Sequence, residues 1–366
     1  MNKKSILLMS MLLVSPLSMS GTVGEAQQDG KRFVFSASAI YGSLSDGTLD
    51  TREYADTIKS SGLISSGLFN VDSRWGYSLS AGYLFGPEFS YDLVLSYTNI
   101  KNHGSSITVN SAQGDLMDNR LSLILKDFSG LQMIGPALAA VNSDYDYQTA
   151  DLITHRTVPS KFAKQLHYTR YYGAKAAEIV KEFTARYSGE SRFGFTLPPA
   201  IQPLADNINF HAKYADNINF HAKYKGIGPK AGAGVYWDVN RFITVGGDIS
   251  FSVLAGNSKS HWNERVEITG AQPILDFPNT GGRYAYFLNH PSSLWVSPVL
   301  GANLVVASHF NLNNDSVIGV EGGIGSEQYW SMNEGERYGL SNGGNRINIS
   351  ERFAVRNVFI KASYIV

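Results

Sequence analysis

The sequence predicts an all-β chain that forms a transmembrane, antiparallel, up-and-down β-barrel of about ten strands. Three observations predict this fold. The chain begins with a secretory signal, several later segments alternate between apolar and polar residues, and no later apolar run is long enough to span a membrane as a helix. Only helices and closed barrels satisfy every backbone hydrogen bond in lipid, so a membrane protein without a spanning helix must be a barrel.

The N-terminal segment has the pattern of a signal peptide. Lys3 and Lys4 precede an apolar run over residues 6–14, which is shorter than the roughly 20 residues that a spanning helix needs. Small residues follow, and we expect cleavage after Ser20 or Ala26. The chain therefore divides into a signal peptide, residues 1–26, and a barrel, residues 27–366.

The composition suits a membrane barrel and excludes several functions. The 31 basic and 31 acidic residues cancel, which argues against nucleic acid as a partner because such a surface needs excess positive charge. Cysteine is absent, so the chain has no disulfide and no thiolate nucleophile. The 36 glycines, 20 tyrosines and 19 phenylalanines are typical of bending strands and interfacial aromatic girdles.

Alternation is strict in five segments, residues 75–85, 91–98, 243–255, 318–324 and 358–366. Side chains on a strand point to opposite faces with a period of two, so each segment has one apolar and one polar face. A soluble β-sandwich alternates as well. The barrel is favoured by strand length, by Gly- and Ser-rich polar faces, and by aromatic residues at the segment ends.

These two faces give two sets of candidate site residues. The residues predicted to face the lumen are Asp248, Glu321, Glu327, Lys230 and Lys361. The aromatic residues predicted to lie at the membrane interfaces are Trp75, Phe85, Trp237 and Trp330.

Connection lengths predict the topology, because outer-membrane barrels alternate short periplasmic turns with long surface loops. Four connections look short, at residues 86–88, 158–162, 238–240 and 311–315. Five look long, at residues 43–73, 101–142, 175–216, 257–293 and 333–350. These connections predict about ten strands with both chain ends in the periplasm. A hairpin at residues 119–126 would raise the number to about twelve, which is the alternative.

Two local features stand out. Arg170 falls on the apolar face between Tyr168 and Tyr172, so either it lies near the membrane rim or the predicted strand register is wrong there. The decamer ADNINFHAKY occurs twice in succession, at residues 205–214 and 215–224. Because ten is even, the duplication keeps each residue on the same face. His211 and His221 are about 33 Å apart on an extended strand and cannot share a metal ion.

Several short motifs resemble the Legionella-type major outer membrane proteins. They are YKGIGPKAG at residues 224–232, WGY leading to GY at residues 75–83, YDY at residues 145–147, WVSPVLGANL at residues 295–304 and YWSM at residues 329–332. Lys230 stands where the family motif has arginine, and Ile227 stands where it has an aromatic residue. The resemblance implies an outer-membrane β-barrel with a porin-like or surface-exposed role.

The sequence leaves two functions open. The first is a porin-like narrow pore for small solutes, because barrels of about ten strands are narrower than the 16-stranded porins. The alternative is a structural or surface protein whose long loops contact a host or the environment. No enzyme is expected, because no catalytic or metal-binding motif occurs. We expect no cofactor, no metal and no catalytic residue.

The barrel fold also predicts the partners. These are outer-membrane lipid and lipopolysaccharide, the barrel-assembly machinery acting on the C-terminal strand, further copies of the chain in a homo-oligomer, and host surface ligands. The chain ends in Val366, with Tyr364 two residues earlier. Bacterial outer membrane is the expected location.

Overall fold

The computed structural model describes fourteen stretches of the chain. They are residues 32–46, 53–59, 61, 64–68, 73–85, 91–113, 115–119, 131–160, 163, 165–193, 212–269, 282–312, 316–338 and 346–366. The predicted signal peptide, both cleavage positions, His211 and most of the first decamer lie outside these residues.

The described residues form thirteen β-strands. They are β1 (Arg32–Asp46), β2 (Glu53–Ile58), β3 (Ile64–Leu68), β4 (Arg74–Phe85), β5 (Tyr91–Ser111), β6 (Leu116–Asn119), β7 (Leu131–Pro159), β8 (Leu166–Phe193), β9 (Ala212–Asp238), β10 (Ile243–Thr269), β11 (Gly282–Asn311), β12 (Val317–Tyr338) and β13 (Arg346–Ile365). Within the described residues, no helix is long and apolar enough to cross a membrane.

Ten of these strands close into a ring. Its order is β1, β4, β5, β7, β8, β9, β10, β11, β12 and β13, and β13 pairs again with β1. Every pairing in the ring is antiparallel. The three short strands β2, β3 and β6 extend the sheet from β7 without joining the ring. The predicted all-β barrel of about ten strands is therefore confirmed. Of the hairpin predicted at residues 119–126, only Asn119, the last residue of β6, lies within the described residues.

The start of β1, the C-terminal residue Val366 and the β9–β10 turn lie at the same end of the barrel. The backbone amide of Phe33 donates to the carbonyl of Val366, and the amide of Val366 donates to the carbonyl of Phe33, each at 3.0 Å. β9 and β10 meet there as well, because the amide of Val239 donates to the carbonyl of Ile243 at 2.9 Å. We call this the periplasmic end, since outer-membrane barrels place their termini and short turns in the periplasm.

The prediction of long loops was wrong over much of its extent. Residues 101–111, 131–142, 175–193, 257–269, 282–293, 333–338 and 346–350 all lie in strands. The physical reason is an inversion of the alternation. Within the bilayer a strand carries apolar residues outside and polar residues inside, whereas beyond the bilayer the outer face meets water and the inner face packs. In the outer part of β8, Phe183, Ala185 and Tyr187 are buried, and Thr184 and Arg186 between them are exposed.

The apolar belt is the part of the outer face that contacts lipid. On β10 the outward residues Ile243, Val245, Ile249 and Phe251 are all exposed, and small residues continue the belt to Ala255. About twelve residue steps on a strand tilted by about 45° cover roughly 25–30 Å of membrane normal. This height matches the apolar band of outer-membrane barrels.

Charged pairs mark the outer border of the belt. Lys101 and Asp146 form an ion pair at 2.9 Å, and Glu178 binds both Lys223 and Lys225, the latter at 2.6 Å. Burial raises the pKa of Glu178, but the hydrogen bonds from the two lysines outweigh it, so this pKa lies below its usual value. Lipid would not tolerate such residues at the midplane, so the membrane ends on the periplasmic side of these charged pairs.

Three clusters of buried apolar residues line the inside of the barrel. The periplasmic cluster comprises Val34, Leu84, Val94, Val317 and Ile365. A central cluster includes Leu44, Ile179, Leu254 and Phe353. An outer cluster includes Met117, Met133, Phe183, Tyr187 and Tyr214, with Trp262 packed against it. A ring of this size leaves an interior that side chains can nearly fill.

Candidate functional site

The site lies in the lumen, at a level where four charged side chains gather. Lys175 on β8 binds Glu327 on β12 through contacts of 2.8 and 3.0 Å and approaches Asp151 at 3.7 Å. Lys230 on β9 binds Asp151 on β7 at 3.0 Å. The side chain of Lys175 is only 1% exposed. We call Asp151, Lys175, Lys230 and Glu327 the charged layer, and its two positive and two negative charges cancel.

Two tyrosines connect this layer across the lumen. The hydroxyl of Tyr147 on β7 donates to Glu327 at 2.5 Å, and the hydroxyl of Tyr329 donates to the same carboxylate at 3.0 Å. The two hydroxyl oxygens lie 3.1 Å apart. β7 and β12 are the fourth and ninth strands of the ring, so they stand on opposite walls. Tyr147, Glu327 and Tyr329 therefore form a direct connection across the barrel, which we call the lumen bridge.

Aromatic rings back the bridge on one side. The ring centroids of Tyr147, Tyr329 and Phe353 lie 6.0 to 6.1 Å from one another. The ammonium of Lys181 on β8 lies 5.3 Å from the ring centroid of Phe353 on β13, and these strands also face each other in the ring. Two independent contacts thus cross the lumen.

Further polar groups line the wall between the bridge and the periplasmic end. Asp248 accepts hydrogen bonds from Tyr171 at 2.8 Å and from Asn303 at 3.2 Å. Lys361 and Glu321 form an ion pair at 2.9 Å. Both members of this pair are largely buried, with side-chain exposures of 7% and 10%. The inner face is therefore charged but locally paired.

Two histidine–aspartate pairs lie close to the periplasmic turns. Nδ1 of His155 is 2.7 Å from Asp92, and Nε2 of His167 is 2.9 Å from Asp238. Thr244 also donates to Asp238, at 2.7 Å. Each pair joins neighbouring strands near their ends, which is a position suited to fixing strand register rather than to crossing the lumen.

The structure brings the predicted lumen residues together in three groups. Lys230 and Glu327 belong to the charged layer, Glu321 and Lys361 form their own pair, and Asp248 stands on the wall with Tyr171 and Asn303. Sequence reasoning missed Asp151, Lys175 and the tyrosines of the bridge. The sequence pattern places Lys175 at the start of a predicted long loop. Continuing the alternation from Tyr171 through Lys175 to Ile179 would have put it on the inner face.

Three of the four predicted interfacial aromatic residues, Trp75, Phe85 and Trp237, are exposed on the outer face. Trp75 is 71% exposed at the outer end of β4, with its ring 5.2 Å from that of Tyr41. Phe85 and Trp237 lie at the periplasmic ends of β4 and β9. Trp330 is half-buried, and it follows the inward Tyr329 on β12. Aromatic residues at these heights suit the two girdles of a membrane barrel.

The close approach of two strands explains one glycine of the motif at residues 224–232. Gly228 on β9 approaches β10 so closely that an added Cβ would lie 1.8 Å from the carbonyl oxygen of Val253. Real Cβ atoms never come so near, so any side chain there would push β9 and β10 apart.

Among the described residues, no group of three or more His, Asp or Glu side chains is arranged to hold a metal ion.

The closed antiparallel ring, its apolar outer belt and its polar interior define an outer-membrane β-barrel. The chain belongs to the family of the Legionella pneumophila major outer membrane protein precursor, whose model matches residues 28–366. This membership confirms the family resemblance of the motifs and supports an outer-membrane location. No curated protein matches the sequence significantly.

Solved structures with a similar course of chain include the outer membrane protease OmpT from Escherichia coli, at 11% identity and a TM-score of 0.37, covering 94% of this chain and 98% of that one. The Pseudomonas putida toluene transporter TodX matches at 10% identity and a TM-score of 0.23, covering 92% and 90%. A Pseudomonas aeruginosa FadL homologue matches at 8% and 0.25, covering 92% and 90%. Scores this low carry no inference about activity.

Proposed function

We propose that the protein is a narrow outer-membrane channel for small polar solutes, held closed in this conformation by the lumen bridge. The observation that carries the proposal is the charged layer inside the membrane-spanning part of the barrel. Ionisable residues within a membrane are costly and are by default functional. Here four of them share one level, and two hydroxyls from opposite walls bind the same carboxylate.

A barrel that needed only a filled interior could use apolar residues at this level. The periplasmic cluster shows that this chain does so elsewhere. Buried ion pairs add little net stability, because desolvation of the charges offsets their attraction. The charged layer therefore favours a role beyond packing, such as guiding polar solutes past the narrowest point.

The energetics of the bridge favour rare opening. Separating a buried ion pair leaves an uncompensated charge and costs about 3–5 kcal/mol. A cost of that size corresponds to an open fraction of about one in a hundred to one in several thousand. A polar solute that enters the lumen would offset part of this cost by forming hydrogen bonds with Lys175 and Glu327.

Solute flux into liposomes tests the proposal. Liposomes containing the wild-type protein should admit small sugars slowly, and those containing Glu327→Gln should admit them at least about tenfold faster, because the neutral amide holds Lys175 less strongly. The matched control is Glu267→Gln, which removes the carboxylate of an exposed ion pair with Arg283. Equal flux through the three proteins and through empty liposomes would refute a channel.

A second candidate function is a surface protein whose extracellular half makes the contacts. The observation that favours it is the length of the strands beyond the belt. On β10, residues 257–269 continue past Ala255 and pair with β11, and the outer cluster packs inside this extension. In the described residues the extension is a paired and internally packed wall, which would present a folded surface outside the membrane.

Shortening the β10–β11 hairpin tests this second candidate. Removing the paired residues above Ser258 and Ser293 should abolish adhesion of expressing cells to cultured host cells. The shortened barrel should still migrate as a folded species on unheated gels. Unchanged adhesion by the shortened protein would contradict the surface role.

A further inference from the structure

Two arginines face the lipid side by side near the periplasmic end. Arg156 on β7 and Arg170 on β8 are direct partners in the antiparallel register, and both are exposed. Each shares its face with exposed apolar residues of the belt, Val158 beside Arg156 and Tyr168 and Tyr172 beside Arg170. From the sequence, either Arg170 lies near the membrane rim or the predicted strand register is wrong there. The structure puts Arg170 on the outer face.

No carboxylate stands beside the two guanidinium groups in the described part of the chain. The outward partner of Arg170 on β9 is Ala233, and the outward partner of Arg156 on β5 is Tyr91. The guanidinium carbon of Arg156 lies 5.3 Å from the ring centroid of Tyr91. The pair therefore places two positive charges against an aromatic and apolar surface, with no counter-ion from the residues that the structure describes.

The depth of the pair indicates its surroundings. Arg156 lies three residues before the end of β7 at Pro159, and Arg170 lies four residues after the start of β8 at Leu166. On strands tilted by about 45°, this corresponds to roughly 7–10 Å along the membrane normal. A lipid-facing arginine costs about 2–4 kcal/mol at the midplane and about 0–1 kcal/mol near an interface. The pair thus sits between the periplasmic headgroups and the acyl chains.

We propose that Arg156 and Arg170 form a binding site for the phosphate of a phospholipid in the periplasmic leaflet. A phosphate supplies the missing negative charge, and two adjacent guanidinium groups can bind its oxygens in the bidentate geometry that arginine favours. Tyr168, Tyr172 and Leu93 would then contact the acyl chains. The phosphates of lipopolysaccharide belong to the opposite leaflet, so this lipid is a phospholipid.

Native mass spectrometry of the delipidated, full-length mature protein tests the site, with dioleoyl phosphatidylglycerol as the titrated lipid. We expect the Arg156→Gln/Arg170→Gln double variant to bind the first lipid at least about tenfold more weakly than the wild type. Each single variant should lose less, and Arg170→Lys should bind with intermediate affinity, because lysine keeps the charge but not the bidentate geometry.

The control is Arg241→Gln, which removes a positive charge from the same end of the barrel, where Arg241 stacks on Phe242 at 4.5 Å. It should bind lipid as the wild type does. Equal lipid affinity of the double variant and the wild type would overturn the proposal. Displacement of the lipid by millimolar inorganic phosphate would also overturn it, because the site would then select a free anion. Should the double variant fail to fold, the two single variants and Arg170→Lys give the same test.

Discussion

Replacing Glu327 by glutamine should lower the free energy of unfolding by about 3–5 kcal/mol. The carboxylate binds Lys175 at 2.8 Å and accepts hydrogen bonds from Tyr147 and Tyr329. Lys175 is 1% exposed, and its other acidic neighbour, Asp151, is 3.7 Å away. The variant therefore leaves a buried ammonium with one distant counter-ion, which is the costly way to break a buried pair.

Urea unfolding of the protein in lipid vesicles, followed by tryptophan fluorescence, measures this loss. The control Glu267→Gln removes an ion pair with side-chain exposures of 45% and 84%, and such exposed pairs contribute at most about 1 kcal/mol. The double variant Lys175→Met/Glu327→Gln should be more stable than Glu327→Gln alone, because it removes the stranded charge. If Glu327→Gln lost no more stability than the control, the charged layer would not be a buried, coupled group.

Three further changes follow from the same structure. Gly228→Ala should reduce the yield of folded barrel severely, because its Cβ would lie 1.8 Å from the carbonyl oxygen of Val253; the fraction migrating as folded on unheated gels measures this, with Gly322→Ala, whose Cβ would lie 3.9 Å from its nearest neighbour, as control. Lys361→Met should destabilise the barrel by about 3–5 kcal/mol in urea unfolding, because it leaves Glu321 buried without its partner. The pKa of Glu178 is lowered in the folded protein, so the stability it contributes is present above its unfolded pKa of about 4.3 and is lost as the pH falls through the folded pKa. Wild-type stability should therefore fall more steeply than that of Glu178→Gln below about pH 4.3, and a parallel fall would contradict the paired state.

The part of the barrel inside the membrane follows closely from alternation in the sequence. The outward Ile249 and Phe251 and the inward Asp248 have opposite characters because one face meets lipid and the other a polar interior. The same rule fails beyond the belt. There the inward residues, such as Phe183 and Ala185, are apolar and the outward residues are polar. The apolar and polar faces therefore exchange sides near Ala176, and in the sequence this exchange resembles a loop.

The candidate site was only partly visible for a related reason. Asp248, Glu321 and Lys361 stand on segments with clear alternation, whereas Lys175 lies at the change of phase. Strand order, moreover, decides which walls face each other across the ring. The contact between Tyr147 and Glu327 joins residues 180 positions apart, and nothing local in the sequence signals it.

Single-channel recording in planar bilayers tests whether the polar lumen is closed by Tyr147, Glu327 and Tyr329. We expect the wild-type protein to be closed for most of the record with brief stepwise openings, and Glu327→Gln and Tyr147→Phe to open at least about tenfold more often. The Glu267→Gln control should behave as the wild type. Silence from every variant, or a wild type that is permanently open, would contradict a lumen gated by this bridge.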